Sequence, residues 1–455
     1  MRNEYFNHVV LALLLVGGCL LASETAGNGA QVLSCSSGDC GACHGVSSGA
    51  QATSAQSTAE LTDTTAATGT STITFGTSNS MLRGSDPSST CLLCHEAQKG
   101  VIQPQGYRNT TSQDDLLLPV PPAQLTPAGD YGWLKKNYTW QDETGAMASS
   151  PGERHGHNIV ALDFNFKADS SRPVAPGGTY PSGSLSCISC HDPHGNYRRS
   201  ADGTISSRGL PIIGSGSYSN SPNPDASNSV MSYRMLAGKG YQPKSLLATA
   251  QFTADPPAAV APPSYNRAET ASDTRVAYGS GMSEWCQNCH TMIHGDGTAA
   301  GGMGHPAGNN AKFSERTASI YNYYVKSGNL TGAAGNSYSS LIPYEMGTND
   351  YTVLKEAANS DGSNLKGPGA GGSPNVMCLS CHRAHASGWD SMTRWNMQST
   401  FLVHEERYPG VDNGALASYA QGRTEAEVRK TFYDRPASRY ASHQRSLCNK
   451  CHGQD

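Results

Sequence analysis

Twelve of the chain's 14 cysteines fall in six copies of one spacing, C-x-x-C-H. The copies are Cys40/Cys43/His44, Cys91/Cys94/His95, Cys187/Cys190/His191, Cys286/Cys289/His290, Cys378/Cys381/His382 and Cys448/Cys451/His452. Two thiols at this spacing reach the two vinyl-derived positions of a porphyrin edge, and the histidine that follows comes to lie beneath the iron. The pattern therefore reads as covalent c-type haem attachment. Zinc knuckles and C-x-x-C redox motifs also pair cysteines this way, but neither requires histidine directly after the second cysteine every time. Six c-type haems are thus expected, with His44, His95, His191, His290, His382 and His452 as proximal iron ligands.

The sixth coordination position decides the chemistry. Methionine there raises the potential, histidine keeps it low, and an open position admits a substrate. Leaving aside His8, eight histidines remain: His155, His157, His194, His294, His305, His385, His404 and His443. A lone histidine is often only a solvated surface side chain. Here His194 and His385 follow a proximal histidine by three residues and His294 follows one by four. A residue so placed, one turn further along the same short helix, stays on the polypeptide side of its own haem and can reach a neighbouring one. Ligation of that neighbour is favoured over a hydrogen bond to a propionate. His157 in GERHGHNIV and His305 in GMGHPAGN are flanked by glycine, as close approach to a haem allows. The sixth distal ligand lies among His404, His443 and His155, with His443, five residues before Cys448, preferred. None of the 12 methionines is placed as an obvious ligand. Cys35 is a leftover thiol.

The elements that must position these groups are sparse. Hydrophobic residues make up 37% of the chain, with 8 Phe against 50 Gly and 25 Pro, too little for a large side-chain core. The haems supply the missing apolar mass, so the expected fold is a multihaem cytochrome c: mostly coil with short helices and little sheet, wrapped around a chain of six haems. Ser314 is placed to cap a helix through SERTASIYNYYVKSG, with Gly328 near its end. Thr424 and Glu427 form a capping box for TEAEVRKTFYD. Residues 47–80, the prolines at 119–122 and 256–263, and Gly367 to Gly372 read as loops. Arg2 and the apolar run from Val9 to Ala22 read as a secretory signal, 1–22, with a lipoprotein signal ending before Cys19 as the alternative. Residues 23–455 then form a single hexahaem domain in an exported chain, without a transmembrane segment. A net charge of −4, before propionates are added, leaves no footprint for nucleic acid.

The stretches TPAGDYGWLKKNYTW, GERHGHNIVA, APGGTYP, CISCHDPHGNYRR, GYQPKSL, RVAYGSGMSEWCQNCH, HPAGNNAKF, YTVLK, CLSCHRAHASGWDSMTRWN and QRSLCNKCH resemble those of the OmcS-type hexahaem outer-surface c-type cytochromes, the extracellular cytochrome nanowire family. They span most of residues 125–400 and the C-terminal end. The resemblance implies bis-histidine haems in a continuous chain and an extracellular filament, and His157, His194, His294, His305 and His385 stand where that pattern also has histidine. It departs at Ser47, where the pattern has a histidine that ligates a haem of the adjoining subunit, and in CHEAQKG, which lacks a following histidine. His155, His404 and His443 are additions.

The expected function is extracellular electron transfer by hopping between closely spaced irons, with copies of the chain, other cytochromes and acceptors such as metal oxides or electrodes as partners. A multihaem oxidoreductase of the nitrite-reducing kind needs an open iron, often with lysine in the motif; no C-x-x-C-K occurs. A soluble periplasmic carrier would share the chemistry and differ in location and assembly.

Overall fold

The computed structural model describes residues 43, 82–96, 110, 121–124, 126–242, 251–263, 275–293, 305–338, 341–358, 367–369 and 372–454. The expectations for the signal segment, Cys19, Cys35, Cys40, His44, the 47–80 loop and His294 lie outside them. All the described residues belong to one contact unit, Val32–Asp455.

Glycine and proline interrupt every run before regular structure can grow. Among the described residues the longest helices, Pro87–His95 and Glu315–Tyr323, have 9 residues each. The described strands form one three-stranded and three two-stranded sheets, none with a strand longer than 4 residues. No described helix is long and apolar enough to cross a membrane.

Both helix-start signals operate. Ser314 accepts from the Thr317 N–H and opens Glu315–Tyr323. Thr424 and Glu427 exchange side-chain bonds with each other's backbone N–H at the start of Glu425–Thr431. The first helix stops short of Gly328, however. Tyr324 turns extended and inserts into the interior, and the chain reverses through the pair Lys326–Asn329, with Gly328 at φ +76°. The proline stretch 256–263 carries a short strand, Ala259–Val260, paired with Ala277–Tyr278.

The interior is several small clusters instead of one core, and tyrosine fills them. Several buried hydroxyls donate to backbone carbonyls: Tyr321 to Ile342 O at 2.9 Å, Tyr408 to Arg435 O at 3.0 Å and Tyr433 to Thr126 O at 2.6 Å. The motif cysteines lie against these clusters: Cys381, Cys448 and Cys451 on the largest, Cys286, Cys187 and Cys289 on three others.

Candidate haem sites

Each described motif is a single tight turn. The second closes the helix Pro87–His95, capped by Asp86; the third, fifth and sixth span Cys187–Ser189, Cys378–Cys381 and Asn449–His452, and the fourth follows Met282–Cys286. Successive motifs touch through their cysteines. Cys91 lies against Cys187, and Cys286 against Cys378. Cys190 neighbours Cys289, and Cys381 neighbours Cys448 and Cys451. None of the described cysteines forms a disulfide. Motifs two to six therefore follow one another in space in their order along the chain. Cys43, in the first motif, accepts a 3.0 Å bond at its carbonyl from the Arg83 N–H, just before the second.

Cys94 differs from these cysteines in its exposure. The sequence assigns it the second thioether bond of the second motif, yet its side chain is exposed, as is that of Cys43, whereas Cys91 and the cysteines of motifs three to six are half-buried. The cause is its place in the last turn of Pro87–His95. The buried side chains of that helix, Ser88, Ser89, Thr90 and Leu92, all come earlier. Among the described residues Cys91 meets the third motif, through Cys187, and Cys94 does not.

The histidines of these motifs are oriented by backbone carbonyls. The Nδ1 of His191 lies 2.9 Å from Arg234 O, that of His290 2.8 Å from Pro176 O, and that of His382 2.8 Å from Ser391 O. With Nδ1 as the donor, Nε2 is the nitrogen each ring can offer a metal. The carbonyl-bearing loops are specialised. Arg234 and Met235, and likewise Ser391 and Met392, are consecutive residues in the left-handed region. Gly178 packs so closely on the fourth motif that an added Cβ would overlap Cys289 O. Residue spacing does not reveal these carbonyls: Arg234 lies far from His191 in sequence and Ser391 close to His382.

Two imidazoles on opposite sides of one metal, each about 2 Å from it through nitrogen, have ring centres about 6 Å apart. Among the described residues three histidine pairs meet that separation: His157 and His290 at 6.1 Å, His191 and His385 at 6.5 Å, and His305 and His452 at 6.0 Å. Burial pushes His157 down to about 4 and His385 to about 3, so both rings are neutral, the form that binds iron.

The route by which His385 reaches His191 differs from the helical one expected. The turn Cys378–Cys381 ends before His382, which is extended and bridges Thr393. After the third motif, Cys190 ends the turn, His191 bridges Leu236, and Pro193 lies before His194. The chain thus leaves each motif as an extended segment. Residues 385–387 pair with 155–157: His157 N–H donates to His385 O and Ser387 N–H to His155 O, each at 2.9 Å. His157 and His385 sit on these neighbouring segments and face different motifs. Gly156 is needed for their contact, since a Cβ there would overlap His385 O and lie 2.6 Å from the Ala386 Cβ. The glycine beside His157 thus serves a backbone crossing.

The other histidines lie elsewhere. His155 is fully buried and both its nitrogens are engaged: Nδ1 with Trp133 O at 2.9 Å, and Nε2 with Ser150 Oγ at 2.8 Å and Arg423 Nη2 at 3.3 Å. Its ring has no nitrogen left for iron. The His194 side chain is 72% exposed, with Nδ1 3.7 Å from Asp192. His443 packs against His404, ring centres 4.9 Å apart, beside Phe401. Among the described residues no cluster of three or more His, Cys, Asp or Glu converges as a bare-metal site would require. Paired thiols beside an imidazole that can offer Nε2, faced in three cases among the described residues by a second imidazole, fit haem instead.

A coil-rich fold whose successive elements are C-x-x-C-H turns defines a multihaem c-type cytochrome. Comparison with known proteins agrees. The chain is 50% identical over 383 residues to the C-type cytochrome OmcS of Geobacter sulfurreducens, covering 84% of this chain and 87% of that protein. It superposes on the cryo-EM structure of the OmcS nanowires from Geobacter sulfurreducens with a TM-score of 0.75 and 50% identity, over 82% of this chain and 91% of that one. For the outer membrane cytochrome S filament from the same organism the values are 0.78, 47%, 92% and 98%. No protein-family model matches the chain. The chain belongs to the OmcS family of c-type cytochromes and is a six-haem protein.

Proposed function

We propose that the chain carries electrons outside the cell as a homopolymeric filament of a single hexahaem domain, 23–455, passing them to other cytochromes and to acceptors such as metal oxides or electrodes. The succession of motif cysteines from Cys91 to Cys451 carries this reading, because it sets neighbouring attachment sites edge to edge. Its relatives are a nanowire and a filament, which supports polymerisation. When bound, each haem supplies one iron that gains and loses a single electron. The chain's own groups set spacing, exclude water and hold neutral imidazoles. All twelve motif cysteines are assigned thioether bonds, the exposed Cys94 included, on the strength of their spacing. His290 with His157, His191 with His385, and His452 with His305 are the assigned ligand pairs. His194, His294 and His443 are left for the haems of His44, His95 and His382, with His404 as the alternative to His443. No group acts as an acid, base or nucleophile, so the protein is a conductor and not an enzyme.

The test is electron microscopy of material shed by expressing cells, with spectroscopy of the purified holoprotein. Filaments and six low-spin haems that ignore carbon monoxide are expected. A dispersed monomer would sink the filament, and a carbon-monoxide-binding haem in the native protein would sink full bis-histidine ligation.

A further inference from the structure

Arg275 is 3% exposed. Its Nη1 donates to the Tyr344 hydroxyl at 2.8 Å, and its guanidinium lies 4.3 Å from the Tyr338 ring centre and 5.3 Å from that of Tyr344. Its Nε and Nη2 are buried and make no hydrogen bond. Among the described residues no carboxylate forms an ion pair with it. A guanidinium cannot shed its proton, and two buried, unsatisfied charged donors cost several kcal/mol unless an anion meets them. The haems bring such anions, since each carries propionate groups.

The position of Arg275 selects one haem. Its neighbour Val276 packs in the cluster that includes Leu379, inside the fifth motif, and Cys286 of the fourth. Its partner Tyr344 packs in the cluster that includes Cys381, also of the fifth motif, with Cys448 and Cys451 of the sixth. Pro343, next to Tyr344, accepts a 2.5 Å bond from Ser380, again inside C-L-S-C-H. The fifth motif is common to both sides. We infer that Arg275 is the buried anchor of a propionate of the haem held by Cys378 and Cys381, and that its fixed positive charge raises that haem's potential. A cation nearby disfavours the ferric, more positive state, so its loss shifts the couple toward oxidation.

The inference rests on the fifth haem being bound, which mass spectrometry of each variant checks independently. Spectroelectrochemical titration of holoprotein carrying Arg275→Met should show one of six one-electron steps moved downward by about 59 mV, a tenfold change in the ferrous-to-ferric ratio. Arg275→Lys should restore most of it, which lost packing alone would not. A density map of the wild-type holoprotein should place a propionate of the fifth haem within hydrogen-bond distance of Nε or Nη2. A titration unmoved by Arg275→Met, an equal loss in the lysine variant, or a map in which a side-chain carboxylate, water or another haem's propionate meets those nitrogens overturns it.

Discussion

Gly156→Ala tests how two histidines far apart in sequence are brought to face different motifs. The new methyl would overlap the His385 carbonyl oxygen and stand 2.6 Å from the Ala386 Cβ. Nothing else about alanine is unsuited to the site, because Gly156 does not occupy the left-handed region. The segments 155–157 and 385–387 must separate, which breaks two backbone bonds of 2.9 Å, His157 N–H to His385 O and Ser387 N–H to His155 O. At about 1 kcal/mol per bond and about 1–3 kcal/mol for the overpacking, the substitution should destabilise the fold by about 3–5 kcal/mol. The same separation pulls His157 from His290 and His385 from His191. Haem content, fixed by thioether bonds, should stay at six, while up to a third of the irons become high-spin and bind carbon monoxide. Gly183→Ala is the control: a Cβ there meets nothing within 4 Å, so stability should hold or rise slightly. Denaturant unfolding and electron paramagnetic resonance of both variants decide the matter. A Gly156→Ala protein with unchanged midpoint and only low-spin iron would refute the crossing as what places these ligands.

Thr424→Ala removes one side of the capping box at Glu425–Thr431 and should cost about 1 kcal/mol in denaturant unfolding without moving any haem potential. His155 should make stability pH-dependent. Burial, the largest cause, lowers it from 6.5 to about 4, so below 6.5 the unfolded chain takes up the proton more readily and stability is lost as pH falls toward 4. The loss should reach about 3 kcal/mol, and His155→Gln should flatten that part of the profile while leaving every iron low-spin. A high-spin iron in His155→Gln would mean the ring had been a ligand.

The attachment chemistry was legible because covalent bonding confines it to five consecutive residues. Local caps were legible for the same reason: Ser314 and Thr424 act on N–H groups three residues away. The facing pairs were not. His385 reaches His191 through a crossing between 155–157 and 385–387, a contact set by tertiary pairing that no spacing encodes. Likewise the glycines of GERHGHNIV signal close approach, but only the fold reveals that Gly156 approaches the backbone at His385. His155 and His157 show the limit most plainly. They are separated by one residue and both are buried imidazoles, yet one is saturated by Trp133, Ser150 and Arg423 and the other faces His290.

The motifs also fall into a repeating pair. Ser88 and Ser283, each three residues before the first cysteine of its motif, accept the N–H of the first cysteine of the next motif, Cys187 or Cys378, at 3.1 Å. Ser189 and Ser380 each accept the N–H of the residue before their own motif. Asp192 N–H donates to Met235 O at 2.9 Å and Arg383 N–H to Met392 O at 2.8 Å, beside the carbonyls that orient His191 and His382. Motifs two and three thus correspond to four and five. First cysteines meet within each pair, and between the two pairs the second cysteines Cys190 and Cys289 meet. Both copies keep two non-glycine residues in the left-handed region, at about 1–2 kcal/mol each, where the carbonyl that holds the histidine must turn inward. Strain kept in both copies at the same step is tied to the ligand. Met235 is 40% exposed, so Met235→Gly loses little packing and should raise stability by about 1 kcal/mol. Met235→Ile, branched at the strained position, should lower it and loosen the third motif, seen as a broadened low-spin signal. Equal stability in the glycine and isoleucine variants would show that the turn carries no strain and that its recurrence has another cause.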